Sequence, residues 1–258
     1  MNLNYDRRGS GPPLLLIHGI GSRWQLFEPV LDVLAKQRDV IAVDLPGFGA
    51  SPPDPLVEDS VPGYARRVAE FVRELGLDRP EVAGSSMGGG IALELARMGM
   101  TSRVVAFAPV GFWTPIGARW CSGSLSAMRV ATRTMRPLLN RLVQYRAGRI
   151  ALLFLFFGHP TRVRPEAAVG HIAGLAAADA FPAAARSFHS YDARRGLELD
   201  VPVTIAWGQK DRVLIHRPQS ARARTALPSA RHETLRGCGH LPFSDDPQRC
   251  AALILEGP

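Results

Sequence analysis

Apolar residues in this chain fall into two alternating kinds of run. Short β-rich runs predict strands at Pro13 to Ile17, Val40 to Val43, Glu81 to Gly84, Arg103 to Ala108, Val203 to Trp207 and His232 to Leu235. Between them, helical spacing marks Trp24 to Ala35, Tyr64 to Leu75, Met87 to Met98, Pro218 to Ala226 and Pro247 to Leu255. Val68, Phe71, Val72 and Leu75 give the clearest i, i+3, i+4, i+7 stripe. Strands alternating with helices predict an α/β fold, a mostly parallel sheet flanked by helices. The N-terminus leaves at most one further segment before Leu14 for an edge strand. An incomplete edge would need a covering loop or a second chain.

The alternation fails between Phe112 and about Ala185, where helix-like segments run on without a comparable strand signal. We take residues 112–185 as an insertion, with 1–111 and 186–258 forming the core. Within it Leu125, Met128, Thr132 and Met135 fall on one side of a helix, and Arg129, Arg133 and Arg136 on another, up to Pro137. Such a face is expected to lie on something apolar.

Composition narrows the class. A chain of 258 residues, 46% hydrophobic, buries a full core as one globular unit. Its longest apolar run, Ala151 to Phe157, falls far short of the roughly 20 residues a membrane span needs. Charged residues near Met1 stand where a secretory signal would be apolar, so a cytoplasmic address is expected. Three cysteines without a CxxC pair, and histidines without HExxH spacing, predict neither disulfide, metal nor cofactor. The net charge is +8, and nine arginines against Glu166 and Asp179 place nearly all of that excess in 112–185. Since 29 of the 31 basic residues are arginine, these read first as solvated helix faces, although such a surface also suits peripheral contact with anionic lipid. No helix-turn-helix, RNP or zinc-finger pattern accompanies the charge, so nucleic acid is not an expected partner.

The sharpest chemical signal is Gly84-Ser85-Ser86-Met87-Gly88, a GxSxG between a strand-like run and a helical one. In a turn this tight, side chains two residues either side of the serine would clash, and the serine is displayed at the positive end of the following helix. Two further loops follow strands: His18-Gly19-Ile20-Gly21, and Asp44-Leu45-Pro46-Gly47-Phe48-Gly49-Ala50-Ser51. Together these motifs resemble the α/β-hydrolase superfamily over the whole chain outside the insertion. The resemblance implies an oxyanion hole made by the backbone N–H groups of Ile20 and Met87, with Gly21 able to replace Ile20. It also assigns roles downstream. Gly208-Gln209-Lys210-Asp211 resembles the family's acid loop and Gly237-Cys238-Gly239-His240 its terminal histidine loop, in the order Ser86, Asp211, His240. Asp44, Asp200, Asp245 and Asp246 suit structural roles, the last two as helix N-terminal acids, and His18 suits ordering of its loop.

Epoxide hydrolases and haloalkane dehalogenases of this fold carry aspartate at the nucleophile position, so a serine implies acyl transfer instead. By the same resemblance the insertion is a helical cap over Ser86, and Phe112, Trp113, Trp120, Met128, Met135 and the run Leu152 to Phe157 are expected to line an apolar substrate pocket. The expected activity is hydrolysis of a carboxylic ester or thioester with a hydrophobic acyl or aryl part. Carbon–carbon bond hydrolases share a Ser-Met-Gly-Gly run but typically place tryptophan after the histidine, where this chain has Leu241. A non-catalytic, ligand-binding member of the fold is the remaining alternative, set against three intact triad positions. Nothing in the motifs speaks to oligomeric state.

Overall fold

A computed structural model of the chain describes residues 3–194 and 198–256. Seven strands form one sheet in the order β1-β3-β2-β4-β5-β6-β7. They are β1 (Tyr5–Arg8), β2 (Pro13–Ile17), β3 (Asp39–Val43), β4 (Glu81–Ser85), β5 (Arg103–Phe107), β6 (Val203–Gly208) and β7 (Arg231–Leu235). All neighbours pair in parallel except β1, which runs antiparallel to β3 from Tyr5 opposite Val43 to Arg8 opposite Val40. That short strand fills the edge the sequence left open. Its outer residues Tyr5 and Arg7 are exposed, and the Arg7 guanidinium pairs with Asp39 at 2.6 Å.

The period-two alternation of the strands divides the core into two layers. Leu15, Ile17, Ile41, Val43, Val82, Val104, Ala106, Ile205 and Trp207 face one side, where they pack with α2 (Val61–Glu74) and α3 (Met87–Arg97). Leu14, Leu16, Val40, Ala42, Ala83, Val105, Phe107 and Ala206 face the other, against α1 (Glu28–Leu34) and, at the C-terminal end of the described chain, the helix Pro247–Leu255. Burial on both faces explains why the central strands are continuous apolar runs.

After β5 the chain leaves the sheet and forms α4 (Pro115–Thr134), α5 (Arg136–Leu142), α6 (Arg146–Leu153), α7 (Pro165–Ala177) and α8 (Phe181–Ser187) before returning to β6. Leu139, Val143, Leu153, Phe157, Val163, Ala168 and Ile172 give these helices a small core of their own. Leu125, Leu175, Phe181 and Phe188 join the main core and tie the group to the sheet. Two helices complete the fold, α9 (His216–Ala226) and α10 (Pro247–Leu255). Among the described residues no single helix is long and apolar enough to cross a membrane.

Candidate active site

Between the end of β4 and the start of α3 only one residue, Ser86, makes the turn, at φ 57° and ψ −114°. A side chain other than glycine is strained in this region and persists where its surroundings over-determine it. Here they do. The Ser86 N–H donates to Phe107 O at 2.8 Å, and Ser86 O accepts from Gly90 N at 3.1 Å and Val110 N at 3.2 Å. A Cβ on Gly84 would stand 2.1 Å from Gly88 O, and one on Gly88 would stand 2.0 Å from Ile17 O. Both glycines of the motif are therefore required by backbone contact. Gly19 also comes close, since a Cβ on it would lie 2.9 Å from that of Ser86.

Behind β6 and β7, two loops are laced together by their backbones. Lys210 N donates to Cys238 O at 2.8 Å, Gln209 N to Leu235 O at 3.0 Å, and a Cβ on Gly208 would meet Gly239 O at 1.9 Å. The lacing brings Asp211 and His240 together, with His240 Nδ1 2.8 Å from Asp211 Oδ2 and both groups buried. A carboxylate accepts, so in the neutral ring Nδ1 carries the proton and Nε2 carries the free lone pair. The other carboxylate oxygen, Oδ1, accepts from Val213 N at 2.9 Å and Leu214 N at 2.8 Å, which fixes the acid's rotamer.

The loop after β2 is ordered by His18, whose ring is fully buried. Its Nδ1 donates to Gly19 O at 2.7 Å and its Nε2 accepts from Leu45 N at 3.1 Å. Burial holds this imidazole below its ordinary value, against the opposing pull of Asp44. Asp44 in turn accepts from Asn4 Nδ2, Trp24 N and Ala50 N at 2.7–2.9 Å, so its role is architectural. Of the expected oxyanion donors, Ile20 borders the cavity described next, as does Gly21, and Met87 opens α3, where a first-turn amide has no acceptor within the helix.

Ser86 and His240 border one cavity, whose empty space together with the open solvent at its mouth is about 960 Å³. Its walls are overwhelmingly apolar: Leu125, Met128 and Ala131 from α4, Leu139 from α5, Leu152 and Leu153 from α6, then Phe156, Phe157, Ile172, Leu175 and Leu241. Of the five pocket residues expected besides the run Leu152 to Phe157, Met128 lines it and four do not. Phe112 is wholly buried in the main core, and Trp113 packs on Phe188 with its Nε1 donating to Tyr191 O at 3.2 Å. Trp120 lies on the outer side of α4, half exposed, with Nε1 donating to Arg212 O at 2.9 Å. Met135 is exposed because α4 ends at Thr134, which takes it out of the helical register that would have aimed it inward. Phe154 is likewise exposed and Leu155 belongs to the main core, while the rest of that run lines the cavity. Sequence reasoning missed His171, a polar group in this wall whose ring lies 5.6 Å from that of Phe157. Burial, helped by the Arg23 charge, pushes it down to about 4.

The family model described as the alpha/beta hydrolase family matches residues 14–253. The chain belongs to that family. Its relatives include an uncharacterized protein of Mycobacterium tuberculosis, 33% identical over 95% of this chain and 75% of that protein. Haloalkane dehalogenase 2 of the same species is 27% identical over 98% of this chain and 90% of its own length. A solved thermophilic esterase from Thermogutta terrifontis is similar in fold, with TM-score 0.77 and 22% identity over 98% of this chain and 91% of that one.

One further residue organises the site of this α/β hydrolase. Asp245, wholly buried, accepts from Gly239 N at 2.8 Å, Gly158 N at 2.8 Å and His159 N at 2.7 Å. It joins the loop carrying His240 to the chain between α6 and α7. Asp246 does cap α10, accepting from Arg249 N at 3.0 Å, so the helix N-terminal reading holds for one acid of the pair and fails for the other. The detectable signal was that two adjacent acids cannot both cap one helix.

Proposed function

We propose that this hydrolase cleaves a carboxylic ester or thioester with a hydrophobic acyl or aryl part through an acyl-enzyme on Ser86. The observation carrying the proposal is that Ser86, on a strained turn at a helix N-terminus, shares one apolar cavity with a His240 held by buried Asp211. In the first step His240 Nε2 takes the Ser86 hydroxyl proton while Oγ attacks the substrate carbonyl. The oxyanion that forms is stabilised by the N–H groups of Ile20 and Met87, and by the positive end of α3. His240 then gives the proton to the departing alcohol or thiol, and a water activated by the same imidazole releases the acid and restores Ser86. Asp211 keeps the tautomer with Nδ1 protonated throughout. Halide displacement, the reaction named for one relative, proceeds through an alkyl ester on a carboxylate nucleophile, and Ser86 offers none.

In this reading helices α4 to α8 are the cap over the nucleophile and supply most of the wall that meets the acyl or aryl group. Reaction with a fluorophosphonate followed by intact mass tests the nucleophile. We expect one covalent adduct on the wild type and none on Ser86→Ala. A folded wild type that takes no adduct, or a Ser86→Ala variant that still does, would overturn the assignment.

A further inference from the structure

We propose that the outer side of α4, α5 and α6 is a docking surface for an anionic lipid bilayer. The proposal is independent of the bond that Ser86 breaks. Each of these helices has an inner face on the cavity and an outer face in solvent. On α4 the outer face holds Ile116, Arg119, Trp120, Val130 and Arg133, at helical spacing and all exposed. It continues through Met135, Arg136, Leu138, Arg141, Leu142, Tyr145 and Arg146 to Ile150 and Phe154. Nine of the 14 exposed large hydrophobic residues among those described therefore lie in residues 116–154. Ile116 at 77%, Val130 at 61% and Tyr145 at 63% are not marginal cases.

Charge selects the partner. No acidic residue occurs between Phe112 and Pro165. Arg119, Arg133, Arg136, Arg141 and Arg146 take part in none of the ion pairs found among the described residues, whereas Arg7, Arg231 and Arg249 on the sheet domain are each paired. Arginines left without carboxylates, interleaved with leucine, valine and aromatic side chains, match the headgroup-and-acyl boundary of an anionic membrane. There the guanidinium meets lipid phosphate while the stem and the apolar neighbours sit deeper. A second copy of this chain is disfavoured, because two such faces would oppose positive charge with positive charge. The same helices line the cavity on their inner side, so docking would hold one wall of the site at the surface of the bilayer.

The test is sedimentation of the full chain with phosphatidylcholine vesicles made with and without phosphatidylglycerol, at low and high salt. Binding is expected only to the anionic vesicles, weakening as salt is raised. The triple variant Arg133→Glu, Arg136→Glu, Arg141→Glu should lower the partition coefficient by about a hundredfold or more. The variant Leu138→Ser, Leu142→Ser, Ile150→Ser should lower it with the charge untouched. A control of equal charge, Arg66→Glu, Arg217→Glu, Arg224→Glu, changes exposed arginines elsewhere and should stay within a few-fold of the wild type. All six altered positions in the first two variants are exposed, and unchanged thermal unfolding would establish that they fold. Absence of binding, equal binding to neutral vesicles, or equal loss in the control would overturn the proposal. So would a dimer seen by sedimentation velocity that dissociates in the serine variant, since the face would then belong to a second copy.

Discussion

At the scale of single residues, two acids adjacent in sequence make very different contributions. Asp246 accepts one helix-end amide, and its loss as Asp246→Ala should cost about 1 kcal/mol. Asp245 accepts three amides in the interior, so Asp245→Ala leaves several buried donors unpaired at about 1–3 kcal/mol each. Urea titration should therefore show Asp245→Ala losing at least about 3 kcal/mol, and equal losses at the two positions would refute this account. Two histidines away from solvent-facing loops, His18 in the core and half-buried His171 in the cavity wall, give a second expectation. His171 is held down at about 4 and burial lowers His18 in the same direction, whereas in the unfolded chain both titrate near about 6.5. Their contribution is complete above that pH. As pH falls the unfolded state binds a proton that the folded state refuses at His171, and stability drops toward pH 4 by up to about 1.4 kcal/mol per unit, with His18 acting in the same direction. His171→Gln removes one of these protons, so its stability should fall less steeply than the wild type's between neutral pH and pH 4. Parallel slopes would show that His171 does not titrate as described.

Among elements, legibility followed how local the deciding interaction is. The elbow could be read from five residues because its glycines answer to backbone atoms within the motif or on the adjacent strand, Gly88 O and Ile17 O. Strands β2 to β6 were legible because burial on both faces leaves a plain apolar run. β1 was harder, since Tyr5–Arg8 has one half-covered face and is defined by pairing with β3, distant in sequence. The stretch Trp24 to Ala35, expected as one helix, is a 3-10 turn over Trp24–Phe27 followed by α1. Pro29, with no N–H, cannot extend the α-helical ladder back across that junction. α2 begins earlier than its apolar stripe, at Val61, because the Ser60 hydroxyl accepts from Gly63 N at 3.1 Å. The inserted helices were the least legible. Arg129 has the spacing of a surface residue, yet its Nη2 donates to Ala178 O at 2.9 Å and its guanidinium lies 5.5 Å from the Phe181 ring centre. Periodicity told the sides of α4 apart, while the partner that makes one side interior comes from α7 and α8, some 50 residues further on.

For the whole molecule, the proposed function makes specificity a matter of the relation between the sheet, which sets the geometry at Ser86, and the inserted helices, which line the space beside it. Ser86, His240 and the loop at Ile20 border a space whose remaining walls are mostly leucine, isoleucine, methionine and phenylalanine. Within the proposed function this arrangement forms the bond-breaking contacts on the sheet side and leaves the remainder of the acyl group to apolar burial. Each methylene that enters such a space contributes about 0.8 kcal/mol, close to fourfold. For a series of p-nitrophenyl esters the leaving group is constant, so kcat/KM reports how the acyl chain is received. It should rise from the acetate by up to about fourfold per methylene, then level off once the chain fills the cavity. Met128→Trp, which places a larger side chain in the α4 wall, should move that plateau to shorter chains while leaving the acetate rate nearly unchanged. A wild type fastest on the acetate would remove the hydrophobic acyl assignment while leaving the Ser86 nucleophile standing. An unmoved plateau in Met128→Trp would place the acyl chain along another wall.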